Sequence, residues 1–201
     1  MDTNLDRRVS RTRTQLRQSL LDLILEKGYE SVTVEELAER AGIARGTFYL
    51  HYRHKEDLML AIAGELIDDL VDQLSDLPLS CWQMPEQGVA EPIELVFSHA
   101  AEHADLYQIL LRGEASFPLA RRLRSIIMEA ASSFLNYKLK REGLELDPKI
   151  PPSVYASYLA GSWTGTIGWW LENDMPYEVE NMASIFQEMF YRGSMGVLSL
   201  E

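Results

Sequence analysis

Apolar residues recur along this chain every three to four positions and almost never every two. That period belongs to helices with one buried face, and no alternating β-branched run is long enough for a strand. Leu16, Leu20, Leu23 and Ile24 mark one face of a first helix over about Val9 to Lys27, with Gly28 as its stop. A second helix runs from about Val34 to Ala41. Thr33 and Glu36 before it are spaced as a capping box, in which hydroxyl and carboxylate each take a backbone N–H of the other residue. Gly42 ends that helix, a short third covers Arg45 to His51, and a fourth, about Lys55 to Leu77, carries Leu58, Ile62, Leu66, Leu70 and Leu74. Pro78 to Pro92 holds three prolines and a glycine and reads as a loop. Helices resume at about Pro92–Ala104, Asp105–Leu111 and Phe117–Glu142. The last two run about Ser153–Asn173 and Val179–Leu198, parted by Asp174, Met175 and Pro176. The pattern predicts an all-α chain of nine helices, divided into residues 1–54 and 55–201.

Residues 34–52, VEELAERAGIARGTFYLHY, meet the demands of a helix-turn-helix. The first helix needs a small residue where the second crosses it, and Ala38 supplies one. The turn needs a residue that tolerates positive φ, and Gly42 supplies that four positions later. Leu37, Ala41, Ile43 and Phe48 are apolar where the two helices must lock, whereas His51 stands where another apolar residue would serve. Arg45, Gly46, Thr47, Tyr49, Leu50 and His51 are left on the outer face. Arg45 suits a guanine edge in the major groove, Gly46 allows close backbone approach, and Thr47, Tyr49 and Tyr52 suit phosphates or a thymine methyl. Lys55, at the start of the fourth helix, suits a phosphate. A plain helical hairpin is the bland alternative, but packing alone does not call for Arg, Thr, Tyr and His together on an outer face.

Charge changes the picture only once its distribution is read. The net charge of −12 speaks against nucleic acid, yet residues 1–58 hold ten basic and ten acidic side chains, so the whole acidic excess lies beyond them. Arg7, Arg8, Arg11, Arg13 and Arg17 occur with no acid among them. Such asymmetry turns one end toward phosphates, although a solvated tail has the same composition. The chain of 201 residues can bury a sizeable core, and no apolar run is long enough to span a membrane. The polar N-terminus lacks a secretory apolar stretch, and the single cysteine, Cys81, excludes an intrachain disulfide. A cytoplasmic location is expected, with no membrane partner.

GIARGTFYLHYRHKEDL, with ESVTVEELAERAG before it, resembles the signature of the TetR family of bacterial regulators over about residues 9–65. The resemblance implies a three-helix DNA-binding head, a body of about six helices with an effector pocket, and a homodimer made through the last two helices. Carried over by position, it implies DNA contacts at Arg45, Gly46, Thr47, Tyr49, His51, Tyr52 and Lys55, and a phosphate-contacting cap at Thr33. Ala44 and His54 depart from the pattern, standing where residues that cap the third and fourth helices are common; each loss weakens a cap by about 1 kcal/mol. GWWLENDMPYEVENMASIF is similar to the last two helices of one subgroup. The expected function is a repressor released from a double-stranded DNA operator by a small-molecule effector, with an activator as the alternative.

Weaker constellations lie in the second part. His99-Ala-Ala-Glu102-His103 fits a zinc-hydrolase pattern with both histidines on one helical face. Catalysis would need a third ligand, usually a distant carboxylate, so the pair reads as helix-surface histidines, with a metal- or pH-sensing role and a metal-dependent hydrolase using His99, Glu102 and His103 as the alternatives; no enzyme, catalytic residue, metal or cofactor is assigned. Aromatic residues are dense in the C-terminal half and mostly read as core. Phe134 and Tyr137 on one helix, with Tyr158, Ser162, Trp163 and Thr166 on another, are candidates to line the pocket of an apolar effector, the hydroxyls orienting it. Gly161, Gly165 and Gly168 form a small-residue stripe fit for close helix approach and, with Phe186, Met189 and Phe190, are candidates for the dimer face. A redox-sensing role is not expected for Cys81, because the sequence beside it offers no group that would activate the thiol.

Overall fold

The computed structural model describes residues 3–78, 81, 88–111, 125–130, 132–133, 136–137, 140–141, 143 and 149–197, with side chains between 7 and 191 of these. The elements are α1 (Thr3–Lys27), a 3-10 turn (Tyr29–Ser31), α2 (Val34–Arg40), α3 (Arg45–His51), α4 (Lys55–Asp76), α5 (Glu91–Glu102) and α6 (Ala104–Leu111). Helical residues within 125–141 are labelled α7; α8 (Pro152–Glu172) and α9 (Val179–Val197) follow. No strand occurs among the described residues, and the all-α expectation holds among them. α1 begins six residues before the apolar period does, because its first turns are polar and leave no periodic trace.

The described residues fall into two compact units, 3–66 and 67–197. In the first, Leu16, Leu20, Leu23 and Ile24 of α1 are buried with Leu37 and Ala38 of α2, Phe48 of α3, and Leu58, Met59 and Ile62 of α4. Gly28 stops α1 with φ of 79°, a positive value that residues with a side chain rarely adopt, while its N–H still bonds the Ile24 carbonyl at 2.8 Å. Gly42 does the same between α2 and α3, with φ of 66°. Its neighbour Ile43 then donates back to the Ala38 carbonyl at 3.0 Å.

The second unit is built on rings. Phe97 of α5 is fully buried and meets Trp163 and Trp170 of α8 and Phe186 of α9 at centroid separations of 5.7, 5.5 and 5.6 Å. Trp170 keeps its indole N–H satisfied on the Tyr177 carbonyl at 2.9 Å, tying down the turn in which Asp174 and Met175 take positive φ. Gln187, buried on α9, accepts from the Ala90 N–H at 2.6 Å and donates to the Gly88 carbonyl at 3.0 Å. It thereby fixes the entry to α5. No helix among the described residues is long and apolar enough to cross a membrane.

Candidate nucleic-acid interface and effector body

α2 and α3 are seven residues each, too short to be stable alone, so their ends have to be held. The Thr33–Glu36 capping box is present: the Thr33 hydroxyl accepts from the Glu36 N–H at 3.3 Å and donates to its carboxylate at 2.7 Å, which also takes the Thr33 N–H at 3.1 Å. The Lys27 ammonium completes the set. Lys27 and the Thr33 bonds together pull the Glu36 carboxyl down to about 2. The Thr33 hydroxyl proton is thus directed at Glu36, and a phosphate contact there would have to displace that bond. α3 begins at Ala44 with no side-chain cap. At α4 the missing cap of His54 is compensated, since the Asp57 carboxylate accepts from the N–H groups of Arg53 and His54 at 3.2 and 3.3 Å.

With Phe48 turned inward, α3 presents Arg45, Gly46, Tyr49 and Leu50 to solvent, and Thr47 and His51 are half-buried beside them. The Arg45 guanidinium lies 5.8 Å from the Tyr49 ring centre and donates to its hydroxyl at 3.4 Å, so the two are held as a pair. A Cβ at Gly46 would meet nothing within 4 Å. Tyr52 is half-buried, its ring 6.0 Å from Phe48. Leu50 is 84% exposed, an apolar side chain on a reading face that the residue-by-residue carry-over passed over.

Lys55 is already engaged within the chain. Its ammonium donates to the carbonyls of Tyr29, Glu30 and Val32 at 2.9, 3.1 and 2.9 Å and lies 4.5 Å from the Tyr29 ring centre. These bonds tie the start of α4 to the 3-10 turn and to Val32 after it, and a phosphate contact at Lys55 would have to displace one of them.

In the second unit the described candidate effector residues stand in different surroundings. Trp163 stacks on Phe186 at 3.9 Å within the cluster around Phe97, whereas Tyr158 is 54% exposed. The Ser162 hydroxyl donates to the Leu159 carbonyl of its own helix at 2.9 Å, and Thr166 is half-buried. Tyr137 is exposed and accepts from Arg141 at 3.1 Å; Phe134 lies outside the described residues. Phe186 is a correction: at 2% exposure, stacked on Trp163, it belongs to the core and offers no face to a partner. Met189 is 40% exposed and Phe190 half-buried, 6.4 Å from the Tyr158 ring. Gly161 and Gly165 open outward, but Gly168 faces inward, with Leu111 of α6 at 3.8 Å from a Cβ placed there.

The surface-histidine reading also fails for His99, which is 2% exposed. Its Nδ1 lies 3.1 Å from the Tyr107 hydroxyl and its Nε2 3.1 Å from Asp69 Oδ2 on α4. Burial pushes its imidazolium toward the neutral form, against the pull of Asp69. Glu102 stands exposed to one side. Sequence spacing could not find Asp69, thirty residues away.

Residues 18–62 match the family model for bacterial regulatory proteins of the tetR family, and residues 89–192 match that for a transcriptional regulator C-terminal region. The fatty acid metabolism regulator protein of Bacillus subtilis is 23% identical over 192 residues, covering 89% of this chain and 93% of that protein. A TetR-family transcriptional regulator from Syntrophomonas wolfei shares the fold with a TM-score of 0.70 at 19% identity, over 94% of this chain and 98% of that one. FadR from Bacillus subtilis, solved in complex with stearoyl-CoA, does so with a TM-score of 0.63 at 20% identity, over 92% and 99%.

Proposed function

Since the chain belongs to the TetR family of bacterial transcriptional regulators, we propose that it is a cytoplasmic repressor that grips its operator as a homodimer and leaves it when a fatty acyl thioester binds its body. It is a regulator and not an enzyme. The observation that carries the reading is the outer face of α3. Arg45 and Tyr49 are paired and exposed there, Leu50 is exposed between them and the helix end, and Phe48 alone anchors the helix. In this reading Arg45 takes a guanine edge, Leu50 a thymine methyl, and Thr47, Tyr49, His51 and Tyr52 the flanking phosphates. Gly46 leaves room for the sugar–phosphate backbone, and Thr33 takes one phosphate at the start of α2. Residues 1–54 form the head and 55–201 the body.

The dimer reading is supported by apolar side chains with no covering in a single chain. Tyr158 and Trp169 on α8 are exposed, with Gly161 and Gly165 between them on the same face, and Ile185 and Met189 are exposed one turn apart on α9. Two heads on such a dimer read half-sites about 34–36 Å apart, so an effector acts by preferring a different spacing. The acyl thioester class is supported by the relative named for fatty acid metabolism and by the stearoyl-CoA held by the Bacillus subtilis structure. An interior of stacked rings around Phe97, Trp163 and Phe186 suits such a tail.

A mobility shift with the DNA upstream of the protein's own gene tests both halves. Binding is expected, with release by stearoyl-CoA, but not by free coenzyme A, over the concentrations that change tryptophan emission. Absence of any shift overturns the operator reading. DNA still bound at saturating stearoyl-CoA overturns the effector class.

A further inference from the structure

We propose that Asp69, His99 and His103 form a binding site for a divalent transition-metal ion of the zinc class, bridging α4 and α5. The inference goes beyond the regulator reading and does not depend on it. All three residues lie in the second unit, and one ligand atom of each falls within 4.8 Å of the others. Two ligand atoms about 2.0–2.1 Å from a tetrahedral ion stand about 3.3 Å apart. His99 Nε2 and Asp69 Oδ2, at 3.1 Å, are already near that spacing. His103 follows His99 by one helical turn and brings its ring centre to 4.7 Å. Two imidazoles so close repel if both are protonated, and a shared cation gives them a reason to converge.

The surroundings of His99 are those of a ligand rather than a packing residue. A metal binds an imidazole through a ring nitrogen, and the His99 ring, at 2% exposure, has each nitrogen beside a polar partner. Metal-bound histidines commonly fix their orientation by a hydrogen bond from the other ring nitrogen, and the Tyr107 hydroxyl stands 3.1 Å from Nδ1 to accept one. Without metal, Nε2–H donates to Asp69 and the Tyr107 hydroxyl donates to Nδ1. With metal, the ring proton sits on Nδ1, the Tyr107 oxygen accepts it, and the Nε2 lone pair faces the ion. Two imidazoles and one carboxylate favour zinc, cobalt or nickel over magnesium or calcium. Asp69 is mostly exposed, so the fourth position opens to water or an incoming ligand.

The test uses the untagged full-length chain, freed of metal by a chelator and titrated with cobalt(II) by visible absorption and with zinc(II) by equilibrium dialysis. One ion per chain is expected. His103→Ala and Asp69→Asn should each abolish the tetrahedral cobalt spectrum while keeping the wild-type far-ultraviolet dichroism. Tyr107→Phe should weaken binding about 10–100-fold. X-ray absorption on the zinc-loaded wild type should show two imidazoles, a readout independent of whether any variant folds. No uptake by the wild type, no imidazole around the zinc, or wild-type affinity in both folded ligand variants would overturn the proposal.

Discussion

Residues 3–66 and residues 67–197 differ in the balance between polar ties and ring packing. In the first unit polar side chains go to backbone groups and to one another. Lys55 caps three carbonyls, Thr33 and Glu36 cap each other, and Asp57 takes two N–H groups at the start of α4. Arg40 grips Glu26 with two bonds of 2.8 Å, and Arg17 meets Glu65 at 2.9 Å. In the second unit rings dominate the interior, and His99 and Gln187 are its buried polar side chains among the described residues. The contrast follows from what each unit has to do. Short helices that must hold an outer face still are fixed by directional ties made behind that face. The second unit is held by ring packing, which is non-directional and can yield.

The comparison breaks most visibly at Phe186. Phe186→Ala should cost about 3–5 kcal/mol in denaturant unfolding, because it removes a buried ring stacked on Trp163 and edge-on to Phe97. Met189→Ala should leave unfolding of the single chain nearly unchanged and weaken association in sedimentation. A stable Phe186→Ala protein that no longer dimerises would return Phe186 to the interface.

Next comes Lys55. Lys55→Ala should lower the stability of the first unit by about 2–3 kcal/mol, since it strips charge-assisted bonds from three carbonyls. The slope of operator affinity against salt should stay as in the wild type. Unchanged stability with a slope reduced by about one unit would mean that Lys55 holds a phosphate after all.

Arg45→Ala should cost about 1–3 kcal/mol of operator affinity and relax selectivity at one base pair, with unfolding unaffected because the side chain is exposed. Equal loss on operator and random DNA would reassign it to a phosphate. Thr33→Ala should cost about 1 kcal/mol of stability through the lost cap, read by thermal unfolding. An unchanged midpoint would show that Lys27 alone holds Glu36 in place.

The smallest effect is a pH dependence. Glu36 titrates lower in the folded chain, at about 2, than the ordinary 4.5. Its contribution is therefore fully present above about pH 4.5 and is lost as pH falls toward 2. The stability gap between wild type and Glu36→Gln should narrow over that window. A gap constant across it would remove Glu36 from the tie.

Sequence alone determined the all-α character, the capping box, the two glycine turns and the outer face of α3. Those depend on neighbours a turn or two away: Ala38, Gly42 and Phe48 lie within eleven residues, and helical period says which of them turn inward. Long polar and large aromatic side chains escaped that logic. Lys55 looked like a surface cation until the fold brought Tyr29, twenty-six residues earlier, beneath its ammonium. His99 looked like a surface histidine until Asp69 and Tyr107 closed over it. Phe186 and Met189 lie three positions apart on α9, yet one packs on Phe97 and the other faces solvent. Period narrows the choice of face, but only the packed neighbours decide which side chains it buries. Those neighbours were brought in by tertiary contacts that no local spacing records.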